Sequence, residues 1–352
     1  MDPLNFEVNT QYIAFLAMKW TCIACLQSIH SKSEYRYNTP INSQKFLSRL
    51  RTLGYFVKMK RGREEDESKT KDEEKSKNEE NIETKPITQE GDMPQKKFYR
   101  SRAHCNPLSH NDAFHYPADP RDMNWTIDHY PNHPTMSENS NVKPDVLDIG
   151  CGFGGLTVAL SKLLPNNTIL GLEIRAKVCE YVRLRIAALR KEFPGEYQNC
   201  SVMRSNTMKY MPNLFEKHAL AKIFFCFPDP HFKKKNHPRR IISDRLLSEY
   251  AYFLEPEVGK LYCITDVEDL HQWHMAKCKA HPLFREIPPD QLSDDPCVAA
   301  MINETEEGKK VERSGAKKYY AVFQRISLED QAQLMTEVTL FANGIDESEE
   351  GL

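Results

Sequence analysis

The sequence predicts an α/β fold, in which a mostly parallel sheet carries helices on both faces. From Pro144 to Arg325, short apolar runs alternate with segments of helical periodicity. This alternation is typical of parallel strands joined by crossover helices. The first run, Val146–Ile149, continues into a glycine-rich turn and then a helix. Parallel sheets bind ligands at the carboxyl ends of their strands, so the polar residues that follow each strand form the candidate site.

The strands are predicted from runs of apolar and β-branched residues, and the helices from apolar residues at helical spacing. The helix after the second strand keeps Val178, Val182 and Ile186 on one face. Pro165 ends the first helix, and Ser243 is a candidate N-cap. The segment Asn303–Lys310 indicates the start of a further helix that Thr305 can cap. The predicted strands are Val146–Ile149, Thr168–Leu172, Ser201–Arg204, Ile223–Phe227, Lys260–Thr265 and Tyr319–Arg325, and the predicted helices are Gly155–Leu164, Ala176–Glu192, Ser243–Leu254 and Val267–Ala280.

Charge is distributed unevenly along the 352 residues, although the formal net charge is only −2. Arg61–Glu90 carries −4 and Ser327–Leu352 carries −7, so the rest of the chain carries +9. A basic folded unit with acidic flanks favours an anionic partner such as nucleic acid. No apolar run reaches the ~18 residues of a membrane span, so a membrane partner is not predicted.

Composition also divides the chain into three parts. Arg61–Glu90 is charged and nearly free of apolar residues, which predicts disorder because such a segment buries too little to offset its ordering entropy. We therefore expect a largely disordered N-terminal extension over 1–95, a single α/β domain over 96–326 and an acidic tail over 327–352. The change of composition at Met59 also leads us to expect that the natural chain starts there.

The cysteines favour a reduced, intracellular protein. Ten are scattered along the chain without the density of a disulfide scaffold. Cys22 and Cys25 form a C-x-x-C pair, but no second pair follows at zinc spacing, so no metal site is predicted.

The turn after the first strand contains Gly150, Gly152 and Gly154 at alternate positions. Glycine permits positive φ and lets a ligand approach the backbone closely. Sites for nicotinamide, flavin and S-adenosylmethionine (AdoMet) all use such turns. The third glycine comes one residue early for the dinucleotide pattern, although Gly155 can fill that slot.

Polar residues end the next two strands. Glu173, 23 residues after Gly150, can accept hydrogen bonds from both ribose hydroxyls of an adenosyl group. Arg175 is either a second cofactor contact or the partner of Glu173. Asn206 ends the third strand, where its amide suits an adenine edge, although a turn-forming Asn is an equal alternative.

The fourth strand ends in a rigid turn with Asp229 between two prolines. We interpret Asp229 as an active-site carboxylate and the cations after it as a phosphate cradle. A basic and aromatic segment also opens the α/β domain; it can follow a phosphate backbone and stack on bases, or it can be a solvated arm. The candidate RNA-binding residues are Lys96, Lys97, Arg100, Arg102, Lys233, Lys234, Lys235, Arg239 and Arg240.

Four separated motifs resemble those of the tRNA (guanine-N7-)-methyltransferases, and in particular their eukaryotic catalytic subunit. The resemblance runs from about Lys96 to Ile326 and includes the segment Phe98–Pro107. The motifs are Asp148–Gly155, Leu170–Arg175, Pro228–Lys233 and Thr305–Lys309.

The resemblance implies a Rossmann-like, seven-stranded class I AdoMet-dependent methyltransferase sheet. It implies methyl transfer to N7 of a guanine in the tRNA variable loop, with Asp229 in the active site. It also implies nuclear residence and a separate WD-repeat subunit as partner. Thr207 and Cys226 depart from the small or apolar residues usual in the family. The implied AdoMet-binding residues are Gly150, Glu173, Arg175, Asn206, Thr207, Cys226, Thr305 and Glu307.

Three other functions compete with this one. A dehydrogenase is disfavoured because no second substrate domain follows the sheet. A non-catalytic tRNA-binding subunit would be expected to have lost Asp229 or the glycines, and both are present. A methyltransferase acting on another RNA or on protein stays open, because a basic loop does not exclude other RNAs.

Overall fold

The structure, a computed structural model, describes residues 91–102, 105–109, 114, 116–134 and 141–343. The predictions for residues 1–90, including the disorder of 61–90, the start at Met59 and the Cys22–Cys25 pair, lie outside the described residues. Contacts between residues divide the chain into two units. One is Pro86–Leu328, and the other consists of Met1–Lys85 and Glu329–Leu352. The first unit contains the sheet.

The sheet has seven strands in the order β3-β2-β1-β4-β5-β7-β6. All neighbours pair in parallel except β7, which is antiparallel to both β5 and β6. This is the class I methyltransferase sheet, so the expected fold is confirmed. The strands are β1 Val146–Ile149, β2 Ile169–Glu173, β3 Cys200–Arg204, β4 Lys222–Cys226, β5 Lys260–Thr265, β6 Phe284–Glu286 and β7 Tyr319–Arg325.

Helices connect these strands, and none of the helices in the described residues is long and apolar enough to cross a membrane. They are α1 Trp125–His129, α2 Gly155–Leu163, α3 Ala176–Glu192, α4 Thr207–Leu214, α5 Asp244–Phe253, α6 Glu268–Lys279, α7 Pro296–Asn303, α8 Glu306–Ser314 and α9 Leu328–Asn343.

Most predicted elements occur within one or two residues of their predicted bounds. Helices α1, α4, α7 and α9 and strand β6 were not predicted, and α8 was predicted only as a helix that begins near Thr305. Helix α4 contains Pro212, which sequence rules interpret as a helix breaker. Strand β6 has three residues and buries only Phe284 among them, too short a pattern to distinguish from a loop.

The central strands are covered on both faces, which explains their continuous apolar sequence. All residues of β1 and of β2 are buried. Phe224 of β4 and Tyr262 of β5 stack across the sheet with ring centroids 4.4 Å apart. This packing holds the carboxyl ends of β1, β2, β4 and β5 in fixed positions beside one another.

The segment after the sheet begins an acidic helix. Helix α9 carries Glu329 and Asp330 in its first turn, where acidic side chains favour the positive end of the helix dipole. From Glu329 onward this helix belongs to the second unit.

Candidate active site

A cavity opens at the carboxyl ends of β1, β2 and β4, where the sequence placed the candidate site. Seven of the predicted cofactor and catalytic residues line it together with Arg239. These residues are Gly150, Glu173, Arg175, Asn206, Thr207, Cys226 and Asp229. The cavity wall also includes Cys105, Pro107 and His231, to which the sequence analysis assigned no role.

The glycine turn meets the cavity at Gly150, whereas Gly152 and Gly154 are not part of the lining. Gly150, Gly152 and Gly154 have φ values of 74°, 55° and 75°, a left-handed conformation that favours glycine. A Cβ atom on Gly154 would lie 2.7 Å from Cγ1 of Val182 in α3, whereas one on Gly150 would meet nothing within 4 Å. Gly154 therefore allows close packing of the helix, and Gly150 leaves open space above the turn.

Asp148 lies in β1, two residues before Gly150, and is 2% exposed. Its Oδ2 accepts a hydrogen bond of 2.7 Å from Oγ1 of Thr157 in α2. Burial raises the pKa of Asp148 to about 7, although the Thr157 hydrogen bond acts in the opposite direction. The pair ties the end of β1 to the first turn of α2.

Glu173 at the end of β2 is buried and bound by Arg175. The Arg175 backbone N donates 2.9 Å to Oε1, and its guanidinium donates from Nε to Oε1 at 3.0 Å and from Nη2 to Oε2 at 2.7 Å. Of the two alternatives for Arg175, the structure shows the partner of Glu173. Carboxylate oxygens accept more than one hydrogen bond each, so Glu173 keeps acceptor capacity toward the cavity.

Asn206 caps helix α4 at the end of β3. Its Oδ1 accepts from Met208 N at 3.2 Å, and its Nδ2 donates to Pro107 O at 2.7 Å. Both ends of the amide are therefore engaged within the protein. The turn-forming alternative for Asn206 describes this geometry, and the cap directs the N-terminus of α4, with Thr207 as its first residue, toward the cavity.

Asp229 lies in the turn that follows β4. Its Oδ1 accepts a hydrogen bond of 3.2 Å from His231 N, and the His231 Nδ1 lies 3.7 Å from the same oxygen. The Asp229 side chain is 29% exposed. Cys226 lines the cavity below it, and desolvation raises the pKa of the Cys226 thiol, so that this thiol stays neutral.

Thr305 and Glu307 do not line the cavity. Thr305 caps α8, because its Oγ1 accepts a 2.9 Å hydrogen bond from Gly308 N. Glu307 forms an exposed ion pair with Lys310 at 2.8 Å. Their assignment to the cofactor site stays a prediction.

The intervening residue, Glu306, lies in a position that was not predicted from the sequence. Its Oε2 accepts from Gly155 N at 3.2 Å, so it caps α2 directly after the glycine turn. Its Oε1 lies 3.2 Å from Nη1 of Arg185 and 3.2 Å from Nζ of Lys96. Glu306 therefore joins α8, α2, α3 and the start of the domain.

The predicted RNA-binding cations divide into exposed and engaged groups. The expected phosphate contact of Arg240 is corrected by the structure: the residue is 6% exposed, and its Nε donates to Pro230 O at 2.9 Å. Lys96 is partly engaged with Glu306, and Arg239 lines the cavity. The exposed members are Lys97, Arg100, Arg102, Lys233, Lys234 and Lys235.

The relatives of the chain identify the family. The Methyltransf_4 methyltransferase family model matches residues 142–321. A tRNA (guanine-N(7)-)-methyltransferase of Bombyx mori is 51% identical over 235 residues, covering 67% of this chain and 97% of the relative. The chain belongs to the tRNA (guanine-N7-)-methyltransferase family. A protein of the same name from Schizosaccharomyces pombe is 49% identical and the match covers 67% of this chain and 87% of the relative. One from Danio rerio is 51% identical, covering 66% of this chain and 96% of the relative.

The cavity suits S-adenosyl-L-methionine, the methyl donor of this methyltransferase family. The buried carboxylate of Glu173 is placed to accept from ribose hydroxyls, and the open space above Gly150 admits a ligand close to the backbone. Among the described residues, no cluster of His, Cys, Asp and Glu could hold a metal ion.

Proposed function

We propose that this chain transfers the methyl group of S-adenosyl-L-methionine to N7 of a guanine in the variable loop of tRNA. The observation that carries the proposal is the position of Asp229 at the wall of the cofactor cavity, next in sequence to an exposed basic loop. The names of the relatives supply the substrate and the methylated atom.

The chemistry requires alignment more than proton transfer. Guanine N7 carries a free lone pair, so its attack needs no general base. When bound, S-adenosyl-L-methionine supplies an electrophilic methyl group on its sulfonium. The protein orients the guanine, excludes water and stabilises the positive charge that develops on the purine. The Asp229 carboxylate does this electrostatically, or accepts from the guanine N1–H and amino group.

The RNA-binding face extends from this carboxylate along the basic loop. Lys233, Lys234 and Lys235 are exposed, and Phe232 beside them is 69% exposed. Lysines bind backbone phosphates, and an exposed aromatic ring provides a stacking surface for an unpaired base. Arg239 lines the cavity and brings a further positive charge to the guanine site.

A separate WD-repeat subunit and nuclear residence complete the proposal. Both are supported by the resemblance to the eukaryotic catalytic subunit, and the basic run Lys58–Arg63 adds a nuclear-import candidate. Co-purification with a candidate WD-repeat protein tests the first, and imaging of the tagged chain with and without Lys58–Arg63 tests the second. Absence of a stable heterodimer, or cytoplasmic residence of both forms, would contradict them.

An atom-specific substrate test decides the reaction. A tRNA transcript with 7-deazaguanosine at the variable-loop position lacks the N7 lone pair but keeps the shape of the base. The proposal predicts methylation of the normal transcript and none of the deaza transcript, with both binding the protein equally. Equal methylation of both would show that another atom is modified. A third arm with unrelated structured RNA tests the alternative of a broader RNA substrate.

A further inference from the structure

The turn that carries Asp229 is strained on both sides. Phe227 has φ 50° and His231 has φ 45°, a left-handed conformation that L-residues with bulky side chains rarely adopt. Such a conformation is strained and persists only where surrounding contacts enforce it. Contacts on either side of Asp229 must therefore hold this conformation.

The first side is held by the sheet. Phe227 N donates to Ile264 O of β5 at 2.8 Å, which extends the ladder one residue beyond β4. On the second side, Pro230 has no backbone N–H to donate, so its contribution is the carbonyl oxygen. That oxygen accepts the hydrogen bond from Arg240 Nε at 2.9 Å.

Arg240 is itself fixed by helix α6. Its guanidinium lies 4.6 Å from the ring centroid of Trp273, a cation–π contact. Trp273 is anchored in turn, since its Nε1 donates to Ile242 O at 2.7 Å. The Arg240 backbone N donates to His237 O at 3.0 Å. Helix α6 thus supports the second side of the turn through one side chain.

We propose that Arg240, seated on Trp273, is a positioning residue that holds the Pro228–His231 turn and thereby aims the Asp229 carboxylate at the substrate. The inference rests on the proposed function for its catalytic consequence. It replaces the phosphate contact expected from the sequence, because Arg240 as a residue is only 6% exposed. Its guanidinium is also engaged by the Trp273 ring and the Pro230 carbonyl.

Three variants separate positioning from RNA binding. Arg240→Lys keeps the charge but not the planar fork, Trp273→Leu removes the ring beneath the guanidinium, and Trp273→Phe keeps an aromatic ring. Arg183→Lys is the matched control, because Arg183 forms an exposed i, i+3 pair with Glu180 on α3.

The readouts are the single-turnover methylation rate at saturating tRNA and cofactor, the Kd of S-adenosyl-L-methionine, and the Kd of tRNA at two salt concentrations. A displacement of about 1 Å costs on the order of 100-fold in rate. We expect Arg240→Lys and Trp273→Leu to lower the methylation rate 10- to 100-fold, with both Kd values within about twofold of the parent. Trp273→Phe should retain most of the parent's methylation rate, because it keeps an aromatic ring beneath the guanidinium. Arg183→Lys should match the parent.

Three results would overturn the proposal. An unchanged rate in folded Arg240→Lys would show that the turn does not need this contact. A weaker tRNA Kd with a shallower salt dependence would identify Arg240 as a phosphate contact. If both variants lose their thermal transition, Arg240 serves folding in general and the specific role is wrong.

Hydrogen exchange keeps the test independent of the proposed reaction. Peptides that cover Phe227–Phe232 should exchange faster in Arg240→Lys than in the parent, while peptides of β1 and α3 stay unchanged. A parent protein that fails to methylate tRNA would overturn the proposed function, and the exchange comparison would still decide whether Arg240 holds the turn. Equal exchange in both proteins would refute it.

Discussion

Replacement of Glu173 by alanine gives the sharpest test of the cofactor site. The carboxylate is 3% exposed and accepts three hydrogen bonds from Arg175. Hydrogen bonds to charged groups contribute about 1.5–3 kcal/mol each. Loss of two ribose contacts at the lower end of this range costs about 3 kcal/mol, which weakens S-adenosyl-L-methionine binding on the order of 100-fold.

The substitution also leaves the Arg175 guanidinium, whose side chain is 18% exposed, without its carboxylate. A lower melting temperature is therefore expected alongside the weaker affinity. Glu180→Ala is the matched control, because Glu180 forms an exposed ion pair with Arg183 one turn further along α3. It should measurably change neither the cofactor affinity nor the melting temperature.

Isothermal titration with S-adenosyl-L-methionine, at a temperature well below either transition, measures the affinity of folded protein. Glu173→Ala that binds the cofactor within about threefold of the parent would refute the assignment of Glu173 to the ribose, because a difference that small is less than about 1 kcal/mol.

The other predictions concern catalysis, RNA binding and stability. Asp229→Asn should lower turnover by about 100-fold or more with little change in cofactor affinity; equal loss of both in kinetic and titration assays would contradict the role of Asp229. Lys234→Ala should weaken tRNA binding and reduce the slope of log K against log salt by about 1, and an unchanged slope would exclude a phosphate contact. Burial lowers the pKa of His274 to about 3, so the folded protein binds fewer protons than the unfolded chain below pH 6.5. Stability attributable to His274 should therefore fall by about 2 kcal/mol from pH 6.5 to 5, a fall that His274→Leu should abolish in denaturant titrations.

The lowered pKa of His274 follows from the environment of its side chain. The side chain is 1% exposed, and neither ring nitrogen has a hydrogen-bond partner among the described residues. Arg240, and His271 when it is protonated, further disfavour protonation of His274. Equal pH dependence in His274→Leu and the parent would show that other groups dominate.

The position of a site residue was predictable where that residue lies at the end of a predicted strand. Gly150, Glu173 and Asp229 directly follow or end apolar runs, and parallel pairing brings them to one edge of the sheet. The role of Glu306 was not predictable in this way, because its contact with Gly155 joins residues 151 positions apart. Nothing in the local sequence distinguishes Glu306 from Glu307.

Arg240 shows a different limit. In the sequence it is one more cation in a basic run, and composition assigns all members of the run to solvent and phosphate. Its burial depends on Trp273, which lies on a later helix. Helix α4 and strand β6 were missed because Pro212 and a three-residue length hide them from rules based on periodicity. The division into 1–95, 96–326 and 327–352 stays a prediction.

The most direct measurement is methyl transfer from labelled S-adenosyl-L-methionine to unmodified tRNA, with the modified base mapped by chain cleavage at N7-methylguanine. The protein is assayed alone and with a WD-repeat partner, beside the Asp229→Asn variant. The account predicts label at a single variable-loop guanine, dependent on Asp229. Tight cofactor binding with no label on tRNA under either condition would contradict it and point to another RNA or to protein as the substrate.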